Sequence, residues 1–179
     1  MTGIEGKRIA ILVASGSDQA ETTIMREVLS DSGSEPVLVS VKKHEVRGWK
    51  NTEWGDTFPV DVAVLEAQAA DYDGLIVPGG VIAADTLRAD GHAIAFARGF
   101  LAQGKAMAAL GHAPWLLVEV AALKGRSATS IHGIRLDLIN AGARWVDEPA
   151  VRDGRIVTGR TRHDLPDLMA RFVEAMVLG

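Results

Sequence analysis

The stretch Lys105-Ala-Met-Ala-Ala-Leu-Gly-His-Ala-Pro-Trp-Leu-Leu-Val118 decides the fold. Ala106 to Leu110 is a short run of small and apolar residues, long enough for a strand buried on both faces. Gly111-His112 breaks it, and Pro114 suits the first turn of a helix, where a missing N–H costs nothing. Strand, sharp turn and helix together read as a nucleophile elbow, which presents one side chain at the carboxyl end of a strand on a strained backbone. The residue at the tip is Gly111, which has no side chain to attack with.

Outward from the elbow, the chain alternates strand-like and helix-like segments. Lys7 to Ala14 is a nearly continuous aliphatic run, as in a central parallel strand covered on both sides. A helix is expected after Ser15-Gly-Ser-Asp18, with Asp18 and Glu21 as a capping-box-like pair and Ile24, Met25, Val28 and Leu29 on one face. Gly33 ends it, and Pro36 to Val41 is the next strand. Lys43 to Phe58, with Trp49 and Trp54 among charges, reads as a hairpin or surface excursion. Val60 to Val64 is a strand candidate followed by a short helix to Ala70. Gly74 to Val77 is a buried strand running into Pro78-Gly-Gly80. Asp85 to Arg88 reads as one helical turn and Ala93 to Gln103 as a longer helix. Later come a short strand at Ala128–Ser130, a helix at Gly133–Asn140, and strands at Arg144–Val146 and Arg155–Thr158 with Asp153-Gly154 as the turn between them. A final helix opens at Asp164-Leu-Pro. The alternation predicts one three-layer α/β domain over residues 1–179 with a mostly parallel sheet.

Composition narrows the function classes. An apolar fraction of 47% with 23% charged residues is that of an ordinary globular protein. The net charge of −4 gives no basic footprint for nucleic acid or an anionic membrane. No apolar run approaches the ~20 residues that span a bilayer, and the first eight residues lack the apolar core of a signal peptide, so a cytoplasmic location is expected. The absence of cysteine excludes disulfides, thiolate metal sites and cysteine nucleophiles. Neither HExxH spacing nor a glycine-rich nucleotide loop occurs, so no metal and no cofactor are expected; His92 and His163 are read as surface residues.

Five stretches, 7–21, 54–62, 75–88, 105–118 and 129–165, resemble the ThiJ/PfpI family of the class I glutamine-amidotransferase-like superfamily. The more specific pieces are Val-Pro-Gly-Gly80 followed by Asp85-Thr-Leu-Arg88, His-Ala-Pro-Trp115, Asn140-Ala-Gly-Ala-Arg-Trp145 and Asp164-Leu-Pro166. The resemblance implies a flavodoxin-like sandwich that forms dimers or higher oligomers. It implies an elbow cysteine where this chain has Gly111, followed by a histidine, here His112, with Asp85 approaching from a neighbouring subunit. It implies a buried glutamate after the first strand, matched to Asp18, and an oxyanion hole at Gly80, Val81 and His112. Where relatives carry Tyr-Pro or Trp-Pro after Thr-Ser, this chain has Ile131-His132. Trp54 and Trp115 are candidates to line the pocket. The activities implied, among them glyoxalase or deglycase chemistry, proteolysis, chaperone-like roles and isonitrile hydration, rest mostly on the missing cysteine.

Three readings follow. The first is a cofactor-free enzyme acting on a small carbonyl-type substrate by acid–base chemistry, with Asp18, His112, His132 and Asp85 as catalytic candidates. The second is a non-catalytic binding or stress-response protein in which glycine merely relieves backbone strain at the elbow. The third is a cysteine enzyme whose nucleophile has been replaced by Gly111. The uneven pattern of change favours the first, because a carboxylate, a histidine and the glycine turn persist while the nucleophile and one wall differ.

Overall fold

A computed structural model describes residues 3–178; Met1, Thr2 and Gly179, the ends of the expected single-domain span, lie outside the described residues. Its centre is a seven-stranded sheet in the order β10-β11-β7-β6-β1-β2-β5. The strands are β1 (Arg8–Val13), β2 (Glu35–Ser40), β5 (Val62–Ala63), β6 (Gly74–Val77), β7 (Ala106–Leu110), β10 (Ala150–Asp153) and β11 (Ile156–Gly159). All neighbours run parallel except the β10–β11 pair. A separate antiparallel hairpin joins β3 (Glu45–Lys50) to β4 (Glu53–Pro59), and β8 (Ser127–Ala128) pairs with β9 (Arg144–Trp145).

Helices cover both faces because the central strands are apolar on both. Along β1, Ala10 and Leu12 point into one cluster, with α2 (Val81–Ala89), α3 (Gly91–Ala102) and α4 (Pro114–Glu119). Ile9, Ile11 and Val13 point into the other, with α1 (Gln19–Asp31) and α6 (Leu165–Leu178). A short α5 (Arg135–Asn140) follows β8. Phe100 on α3 and Phe172 on α6 are fully buried, one in each cluster, and their loss would cost about 3–5 kcal/mol apiece.

The expected elements are largely present, with local differences. Asp85–Arg88 belongs to a nine-residue α2 that begins at Val81. The segment before Ala70 forms only a single 3-10 turn at Ala69–Asp71. The Asp153-Gly154 turn joins β11 to β10, whereas Arg144–Trp145 leaves the main sheet to pair with β8.

Topology fixes where a site can form. From β1 the chain crosses to β2 on one side and later returns to β6 on the other, so the loops leaving β1 and β6 diverge to opposite faces. The crevice at such a switch point, at the carboxyl ends of the strands, is the ordinary place for a ligand in an open α/β sheet.

Candidate active site

A cavity of about 550 Å³ opens at that switch point. Five segments converge on it, after β1, β6, β7, β8 and β11, and the tip of the β3–β4 hairpin closes one side. The first two are laced by Asp18 N–H donating to Gly79 O at 2.8 Å. A Cβ on Gly80 would lie 2.2 Å from Gly16 O and 2.9 Å from Asp18 N, so only glycine allows this approach. The hairpin is fastened to the β1 loop by Trp49 N–H to Ser17 O and Gly16 N–H to Arg47 O, each 2.8 Å. Asn51 at its tip, with φ 58°, therefore stands at the rim.

Gly111 is at the floor with φ 66°, the left-handed conformation expected of an elbow. A Cβ built there would meet nothing closer than Gly79 Cα at 3.7 Å and Arg160 O at 3.8 Å. A Cβ therefore fits at ordinary contact distance on the cavity floor. Among the described residues, the N–H groups of Gly80 and His112 have no backbone or side-chain acceptor. His112 is half-buried, and desolvation holds its pKa below the usual histidine value, which favours a neutral imidazole.

The buried carboxylate of the cavity is Glu21, not Asp18. Glu21 is 5% exposed and accepts a hydrogen bond from Gly79 N–H at 2.6 Å. Burial, and after it the nearby Asp18 charge, push its pKa up to about 7 against the opposing pull of the Gly79 N–H and Arg162. Asp18 has structural duties at the cavity edge: Oδ1 caps α1 through Glu21 N–H at 3.0 Å, and Oδ2 pairs with Arg162 at 3.0 Å. The anticipated capping box is half formed. Asp18 N–H is already spent on Gly79 O, so the Glu21 side chain turns to Gly79 N–H instead.

Of the residues anticipated from sequence, Asp18, Gly80, Val81, Gly111, His112 and Ile131 line this cavity. His132 does not: it is exposed and stacks edge-on against Trp145 at 6.0 Å. Asp85, also exposed, lies with Trp115 in a separate hollow of about 360 Å³ that meets the cavity only at Val81. Trp115 donates Nε1–H to Asp137 at 2.7 Å and lies beneath the Arg88 guanidinium. Trp54 packs edge-on against Trp49 on the hairpin, 41% exposed and away from the cavity. Residues not anticipated are Glu21, Asn51, Arg160, Thr161, Arg162 and the surface histidine His163. No group of three or more histidine or acidic side chains among the described residues is placed to hold a metal ion, and no described helix is long and apolar enough to cross a membrane.

Residues 7–175 match the family model described as the DJ-1/PfpI family. The chain belongs to the DJ-1/PfpI family. An uncharacterized protein of Staphylococcus epidermidis is 37% identical over 173 residues, covering 95% of this chain and 98% of that one. Among solved structures, a two-domain protein from Anabaena variabilis with DJ-1/ThiJ/PfpI-like and ferritin-like domains is 31% identical with a TM-score of 0.85. The match covers 96% of this chain and 47% of that larger protein. Drosophila melanogaster DJ-1beta superposes with a TM-score of 0.85 at 21% identity, over 96% and 91% of the two chains, a likeness of fold. This DJ-1/PfpI chain has no cysteine.

Proposed function

We propose that this cavity carries out cofactor-free acid–base chemistry on a small carbonyl compound, with Glu21 as the group that moves the proton. The observation that carries the reading is the Glu21 carboxyl, buried in the cavity whose floor is Gly111; that burial pushes its pKa up to about 7. A general acid–base is most effective when its pKa lies near the working pH, and such a group contributes ~10²–10⁴-fold.

In this mechanism the substrate carbonyl lies above Gly111, where a nucleophile would otherwise stand. Its oxygen takes hydrogen bonds from the Gly80 and His112 N–H groups, which hold the negative charge that develops as an adjacent C–H is broken. Glu21, as carboxylate, accepts that proton and returns it to a different atom, which gives isomerisation, or helps expel a leaving group, which gives elimination. Where the leaving group is a β-hydroxyl that departs as water, the reverse of the elimination adds water across the conjugated double bond. The neutral His112 imidazole serves as a hydrogen-bond partner rather than a fixed charge. Asp18, assigned the proton transfer from sequence, is replaced in that role by Glu21 because its own oxygens are engaged by Glu21 N–H and Arg162. The homo-oligomer common in the family would bring a second chain against the Asp85 hollow, leaving proton transfer within one chain.

The test is solvent exchange at the carbon next to a carbonyl, followed by NMR in D₂O over a panel of small ketones, aldehydes and oxo acids. The wild type should exchange at least one class, and Glu21→Gln should lose the activity by ~10²-fold or more while remaining folded. Exchange by Glu21→Gln at the wild-type rate would defeat the assignment.

A further inference from the structure

The two arginines of the cavity are employed differently. Arg160 engages all three of its nitrogens: Nε and Nη2 reach the two oxygens of Asp164 at 3.3 and 3.2 Å, and Nη1 reaches Asp147 at 2.7 Å. That set braces the loop between β11 and α6. Arg162, two residues on, makes a single ion-paired hydrogen bond among the described residues, from Nη2 to Asp18 Oδ2 at 3.0 Å. Its Nε and Nη1 have no acceptor there, and the side chain is 42% exposed.

A guanidinium carries five N–H donors in a planar fork that matches the two oxygens of a carboxylate. Arg162 leaves most of that fork unused on the wall of a cavity whose second arginine is held by Asp147 and Asp164. It also lines the adjoining groove of about 340 Å³, between α1 and the hairpin, which shares Asp18 and Asn51 with the cavity. Arg162 therefore stands where the groove meets the cavity, with Glu21 and Gly111 on the inner side and the Asn51 amide at the same rim.

We propose that the substrate bears a carboxylate next to or near its carbonyl, and that Arg162 docks this carboxylate at the cavity mouth so that the carbonyl comes to lie over Gly111. The proposal rests on the acid–base reading above for the fate of the carbonyl, while the docking itself does not depend on it. A monoanion fits the charges: Arg162 already shares its single charge with Asp18, so a dianion would leave excess negative charge beside that carboxylate. The Asp18–Arg162 pair then acts as an internal competitor, with Asp18 holding the fork in place and the substrate taking its free edge.

The experiment compares pyruvate with methyl pyruvate, which has the same carbonyl but no charge, by calorimetry or NMR titration. The wild type should favour pyruvate by about tenfold or more, the scale of a charged hydrogen bond. Arg162→Gln should abolish that preference and Arg162→Lys should restore part of it. Asp18→Asn keeps an oxygen to cap α1 but removes the competing charge, so it should tighten pyruvate binding severalfold, an effect that a purely structural Asp18–Arg162 pair would not produce. Equal binding of the two probes by the wild type, or an undiminished preference in Arg162→Gln, would overturn the proposal. Glu21→Gln separates the two ideas: it should keep the pyruvate preference while losing solvent exchange. An active Glu21→Gln with the preference intact would refute the acid–base reading and leave the docking standing.

Discussion

Glu21→Gln should make the protein more stable at pH 8 than the wild type, even as it removes the proposed activity. The Glu21 pKa rises from 4.5 in the unfolded chain to about 7 in the fold, chiefly through burial. Below pH 4.5 the carboxyl is protonated in both states and contributes no pH dependence. Between 4.5 and about 7 the unfolded chain releases its proton while the fold retains it, so stability falls with rising pH. Above about 7 the loss is complete. At about 1.4 kcal/mol per pH unit, that window amounts to about 3 kcal/mol, carried by a side chain only 5% exposed. Glutamine can still accept the Gly79 N–H and carries no charge to desolvate, so the variant escapes this loss. Unsatisfied amide hydrogens would return about 1 kcal/mol of it. His112 works in the opposite direction: its lowered pKa means that the unfolded chain takes up a proton first on acidification, so its contribution fades as pH falls through the usual histidine range. Both proteins share that term, so it cancels in their difference. Urea denaturation at pH 4.5, 6 and 8 reads the effect: the variant's midpoint should trail by about 0.5 M at the lowest pH and lead by about 1 M at pH 8. Parallel stability profiles for the two proteins from pH 4.5 to 8 would mean that the Glu21 pKa does not change on folding.

Two glycine substitutions separate backbone strain from steric exclusion. Gly111→Ala has room for its Cβ but keeps φ at 66°, so it should fold with a loss of about 1–2 kcal/mol in urea midpoints, and Gly111→Cys should present a thiol that iodoacetamide alkylates readily. An inert thiol would count against the view that this floor is a vacated nucleophile position. Gly80→Ala places a carbon 2.2 Å from Gly16 O at φ 111°, so it should cost about 3 kcal/mol or more and lower the yield of folded protein. A variant as stable as the wild type would mean that the β1 and β6 loops are not clamped as described.

Much of the fold was legible because burial on both faces leaves a strong imprint: the aliphatic runs of β1, β6 and β7 and the glycine turns after them stand out without any partner being known. The elbow was legible for the same reason, since Gly111 and Pro114 punctuate it. Glu21 was readable but was interpreted locally, as half of a capping box. It sits four residues before Met25 and eight before Leu29, on the stripe that faces the core, and a charged residue on that stripe was the available signal. Arg162 and His163 follow a strand that was recognised. In a parallel sheet the loop after β11 ends on the same edge as those after β1, β6 and β7, so the loop's position could have been inferred once β11 was paired with β7. The placement of His132 was not readable, because it depends on which short strand pairs with which; Asp85 stands on the exposed face of an α2 that starts four residues earlier than its own turn suggests, and Trp54 faces Trp49 across the hairpin rather than the cavity. Arg144–Trp145 pairs with β8, and the edge-on contact of His132 with Trp145 lies outside the cavity.

The most direct test of the central claim is a pH titration of the Glu21 side-chain carboxyl by ¹³C NMR, with Glu21→Gln used to assign its resonance. The midpoint is expected at about 7, displaced upward by burial and by the Asp18 charge. A midpoint near 4.5, the value of a solvated glutamate, would contradict it.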